Sequence, residues 1–148
     1  METTKFSIQI NAPKEKVWQT LWSDDTYRQW TVVFHEGSYA KTDWKEGSSV
    51  QFLTPEGDGM YSRISKLIPN TQMTFEHQGE VKGGVEQPQS SWAGAKESYY
   101  LSENNGVTEL TVEMDTVEEF IQYFKDIFPK ALQLIKSLSE AKSTANAG

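Results

Sequence analysis

Cysteine is absent from the 148-residue chain, and histidine occurs only twice, at His35 and His77. The first absence excludes disulfides, a thiolate nucleophile and any cysteine-ligated metal. With so few histidines, a zinc site of the ordinary kind is not expected either. Positive charge is also scarce: 14 Lys and Arg stand against 21 Asp and Glu, a formal net charge of −7. Nucleic-acid binding rests on a basic surface, and none is visible, so no nucleic-acid partner is expected. Anionic membrane surfaces are disfavoured on the same ground. No apolar run approaches the roughly 18 residues of a membrane-spanning helix. Met1 to Phe6 is polar, without an apolar signal segment, which makes the cytoplasm the expected compartment. Gly-x-Ser-x-Gly elbows and glycine-rich phosphate loops do not occur, and no cofactor is expected.

Large rings are what the chain does have. Only 36% of residues are hydrophobic, yet 12% are aromatic: five Trp, six Tyr and seven Phe. Such rings fill a core, or line a pocket, with few residues. The length suits one domain with a sizeable core, and no internal repeat or linker divides residues 1–148.

Along the chain, Phe6, Ile8 and Ile10 alternate with polar residues, the period of a half-buried strand. Pro13 suits the first turn of a helix, and Val17, Trp18 and Leu21 form an apolar stripe. Ser23 or Asp24 can cap a second short helix ending near Trp30. Strands are then expected at Val32 to Tyr39, Ser48 to Thr54, Met60 to Ile68, around Met73 to His77, around Tyr99 to Leu101, and at Leu110 to Met114. Pro55 to Gly59 and Asn104-Asn105-Gly106 read as turns. Gly79 to Gly94 reads as one long glycine-containing loop. At Thr116 the period changes. Thr116 and Glu119 match a capping box, and Phe120, Phe124, Phe128, Leu132 and Ile135 recur at helical spacing. Pro129 inside this helix predicts a kink or a break. The tail from Ser143 is expected to fray.

This order resembles the START-like helix-grip superfamily (SRPBCC), and within it the group of homologues of the activator of heat shock protein 90 ATPase (AHSA), often placed with polyketide cyclases. The segments that carry the resemblance are Ile10 to Trp18, Leu21 to Trp30, Asp43 to Phe52, Ile64 to Asn70 and Gly106 to Val112. Many relatives carry Gly-Trp where this chain has Phe128-Pro129, which leaves the helix path open there. The resemblance implies an α+β fold: a curved antiparallel sheet of about six to seven strands around a long C-terminal helix, with two short helices after strand one. It also implies a cavity between sheet and helix. It brings no shared catalytic motif, and fold alone does not decide among carriers, cyclases and chaperone activators.

In that fold, the candidate ligand-binding residues are Trp30, Phe52, Met60, Ser62, Phe75, His77, Trp92, Glu97, Tyr99, Phe120, Phe124 and Phe128. Pockets of this kind are mostly apolar with a few placed polar groups. Trp44 is a further candidate for the pocket mouth, and Arg63 and Lys66 could meet a ligand carboxylate. His77 and Glu97, if they face each other, could act as acid and base. Asp115, Glu118 and Glu119 cluster, but carboxylates before a helix are explained by its dipole. The expected partner is a small apolar ligand, lipid-like or aromatic. The alternatives are a cofactor-independent cyclase, dehydratase or hydrolase, and a chaperone-associated interaction module. A homodimer is compatible with all three.

Overall fold

The computed structural model describes residues 1–141, so the tail from Ser143 lies outside the described residues. Eight strands form one antiparallel sheet: β1 (Glu2–Ile10), β2 (Tyr39–Lys41), β3 (Ser49–Leu53), β4 (Gly59–Ile68), β5 (Gln72–Lys82), β6 (Val85–Glu86), β7 (Lys96–Asn104) and β8 (Val107–Thr116). Their order is β1-β8-β7-β5-β4-β3-β2, with β6 on the end of β5, and β1 and β2 are open edges. Helices α1 (Lys14–Trp22) and α2 (Asp24–Trp30) lie between β1 and β2, and α3 (Ile121–Glu140) follows the last strand. Helix α3 packs against β1, α1 and α2.

The alternation seen in the sequence becomes the inner face. In β8, Thr108, Leu110, Val112, Met114 and Thr116 are all buried, and so are Met73, Phe75, Tyr99 and Leu101 on the neighbouring strands. The β7–β8 hairpin turns through Asn105 at φ 54° and Gly106 at φ 80°, the pair of positive angles that a two-residue turn between right-twisted strands requires.

Four local expectations are corrected. Val32 to Tyr39 is not a strand: Thr31–Val33 is a 3-10 turn continuing from α2, tied back by Thr31 Oγ1 donating to the Tyr27 carbonyl at 2.7 Å. The capping box does not form. Thr116 is the last residue of β8, the cap position falls on Val117 with no side-chain bond, and a 3-10 turn, Glu118–Phe120, precedes α3. Helix α3 is one continuous helix through Pro129, so the break expected as one outcome there does not occur. The expected loop after Gly79 starts later, because β5 continues to Lys82 and pairs with β6.

Candidate functional site

The centre of the inner face carries a polar row across three strands. In β4 and β5, Ser62 lies opposite His77; in β5 and β7, Phe75 lies opposite Glu97. Residues two apart on a strand share a face, so His77 and Glu97 meet diagonally. A bulge lies just beyond them. Tyr61 pairs with Gly79 but Ser62 pairs with His77, so Gln78 is the extra residue. It switches the phase of β5 past His77, so that Glu80, opposite Met60, comes to the face that carries His77 and Phe75.

The row is continuous. Ser62 Oγ and His77 Nδ1 are 2.6 Å apart, and His77 Nε2 is 3.0 Å from Glu97 Oε1. The Tyr99 hydroxyl donates to Glu97 Oε2. The order Ser–His–Glu is that of a nucleophilic triad, but Ser62 is only 2% exposed and is not in the cavity wall. It anchors His77 from behind, and His77 and Tyr99 anchor the carboxylate.

Burial raises the pKa of Glu97, and the hydrogen bond from His77, the charge of His77 when protonated and the bond from Tyr99 lower it. The net direction is below the ordinary carboxylate range, so Glu97 is ionised at neutral pH. Burial, and then the Glu97 charge, push the Tyr27 and Tyr99 phenols up, so both stay neutral donors. A carboxyl with a depressed folded-state pKa stabilises the fold above the ordinary carboxylate range, and that contribution is lost as pH falls through the folded pKa. The stability difference between the native protein and Glu97→Gln is therefore expected to shrink between pH 5 and pH 3. Urea unfolding at both values checks it; a difference that holds or grows would mean Glu97 gains nothing from its partners.

Above the row lies a cavity of about 470 Å³. Trp30, Phe52, Met60, Phe75, His77, Glu97 and Tyr99 all line it. So do Trp92, from the loop before β7, and Phe120, Phe124 and Phe128. Of the three phenylalanines only Phe128 is fully buried; Phe120 precedes α3 and is 47% exposed, so the apolar stripe of the helix enters the core from Phe124 onward. Trp44 is not in the wall but packs against Trp22, with ring centres 5.6 Å apart. Arg63 lies outside the wall, exposed and 3.9 Å from Glu76. Asp115 accepts from the Thr3 hydroxyl and the Lys96 N–H.

Sequence reasoning missed Trp22, Tyr27 and Phe34, which complete the wall from the helical side. Trp22 crosses Tyr99 edge-on with centres 4.9 Å apart and Phe75 at 5.4 Å. Its buried Nε1–H has no hydrogen-bond acceptor among the described residues. Buried donors are nearly always satisfied, and the rings of Tyr99 and Phe75 beside Trp22 are weak acceptors at best.

An open antiparallel sheet around a long C-terminal helix, with a cavity between, is a helix-grip fold. Residues 11–139 match the family model described as Activator of Hsp90 ATPase homolog 1-like protein, and the chain belongs to that family. Similar solved structures include the Aha1 dimer from Colwellia psychrerythraea, 22% identical over 95% of this chain and 97% of that one, with a TM-score of 0.74. CalU16 from Micromonospora echinospora is 16% identical over 93% of this chain and 75% of that one, TM-score 0.67. DynU16, from the dynemicin biosynthetic locus, is 13% identical over 93% of this chain and only 46% of that one, TM-score 0.70. At these identities the likeness carries the fold. No curated protein sequence matches the chain. No helix among the described residues is long and apolar enough to cross a membrane.

Proposed function

We propose that this protein binds a small, mostly apolar ligand, lipid-like or aromatic, between its sheet and α3. The observation that carries this reading is the 470 Å³ cavity, walled by aromatic rings and holding one anchored carboxylate. That combination matches ordinary ligand pockets: apolar surface for affinity, few polar groups for orientation. Glu97 supplies an acceptor for a polar group of the ligand. Phe124→Ala removes a wall ring that is only half-buried, so it is expected to leave the fold largely intact. It should weaken binding of a neutral aromatic probe, 2-naphthylmethanol, about tenfold, as read by tryptophan fluorescence titration. Unchanged affinity would remove the cavity as the binding site.

Acid–base catalysis by His77 and Glu97 is the second reading, favoured by their 3.0 Å contact in the wall. Two features weigh against it. Both ring nitrogens of His77 are already engaged, and a carboxylate with a lowered pKa is a poor base near neutrality. Turnover of a bound compound that His77→Ala abolishes would reverse the ranking. A chaperone-associated role, which the family's description names, would leave function indifferent to Phe124→Ala. Following the dimer among the similar structures, we take a homodimer as the assembly to test by light scattering.

A further inference from the structure

Among the described residues no Lys or Arg lies within ion-pair distance of Glu97, whose one such partner is His77. Each hydrogen in the row finds an acceptor when His77 is neutral: the Ser62 hydroxyl donates to Nδ1, and Nε2–H donates to Glu97. A protonated His77 would donate from both nitrogens, and the Ser62 hydroxyl would then have no acceptor among the described residues. With Ser62 as the donor to Nδ1, the row carries the single negative charge of Glu97. Its carboxylate side chain is 18% exposed, in a wall where an unpaired charge is costly. Elsewhere the wall adds Glu80 and Asp115 against Lys96 and Met1, which carries the terminal amino group, together with His35. The rings of Trp22, Trp30, Phe34, Phe52, Phe75 and Tyr99 stand around the same space, and ring faces attract cations, most of all where water is excluded.

From this geometry we infer that the ligand's polar end is a cation. The ligand class is a hydrophobic amine protonated at neutral pH, or a quaternary ammonium, with its charge against Glu97 and the ring faces and its apolar body in the cavity. The inference rests on the binding reading above and deepens it. A carboxylate uses up to four lone-pair positions; His77 and Tyr99 occupy two, which leaves room for an ammonium N–H. The overall charge of −7 favours the approach of cations as well.

The test uses three probes of one shape: 2-naphthylmethylamine, 2-naphthylmethanol and 2-naphthoate, titrated into the full chain by calorimetry. The amine is expected to bind about tenfold more tightly than the alcohol, with the carboxylate weakest. In Glu97→Gln the amine-to-alcohol ratio is expected to fall to about one, whatever happens to the absolute affinities. An alcohol that binds as well as the amine, or a ratio that survives Glu97→Gln, overturns the inference while leaving the cavity reading in place. Binding of none of the three overturns both. If Glu97→Gln does not fold, the native ratio carries the test, and Glu97→Asp, which keeps the charge, must retain the preference.

Discussion

Phe128→Ala is expected to cost about 3–5 kcal/mol of folding stability, the range for truncating a buried phenylalanine. The ring is 1% exposed. It stacks on Phe6 of β1 with centres 5.0 Å apart and meets Phe34 at 5.6 Å. It therefore joins α3 to the edge strand of the sheet and to the 3-10 turn after α2. Those elements have no covalent staple, since the chain lacks cysteine, and their rings cannot collapse into the gap without moving the helix. Urea unfolding measures the loss; a change under about 1 kcal/mol would mean that α3 is not held through this ring.

Gly59→Ala is expected to be nearly as damaging, at roughly 3 kcal/mol or more. A methyl group there would overlap the Phe52 carbonyl oxygen and stand 2.9 Å from its carbon. Both are backbone atoms of the adjoining strand. Retreat is blocked on the other side, because Gly59 lies between Leu53 of β3 and Val81 of β5. A thermal melt within a degree or two of the native protein would show that the β3–β4 hairpin can open to admit the side chain.

How much of this was legible depends on the range of the forces involved. Strand β8 was readable because alternation is local, and the same alternation explains why the capping box failed: Thr116 continues the buried series Thr108 to Met114. Two-residue periodicity over a whole strand outweighed a four-residue motif. The row Val32, Val33 and Phe34 was misread because three adjacent apolar residues fit either period; the turn there is fixed by the Thr31 hydroxyl and by Phe34 docking on Phe128. His77 and Glu97 were placed on the inner face by phase alone, but their contact depends on the β5–β7 register that sets Phe75 opposite Glu97, which no local pattern announces. Trp22, Tyr27 and Phe34 escaped notice for a related reason. They sit on short elements whose orientation is set by tertiary packing, and their only cue was the crowding of rings between Trp18 and Phe34.

The most direct test of the cavity is the tryptophan indole N–H spectrum of the ¹⁵N-labelled protein during titration with 2-naphthylmethanol. Trp22 Nε1–H belongs to a wall residue and is without an acceptor among the described residues, Trp30 Nε1–H is tied to the Leu21 carbonyl at 3.2 Å, and Trp18 lies outside the wall. Saturable movement of the Trp22 and Trp30 resonances, with Trp18 left in place, is the predicted result. Saturation that moves Trp18 alone, or no saturable change at any indole, would contradict a ligand-binding cavity between the sheet and the last helix.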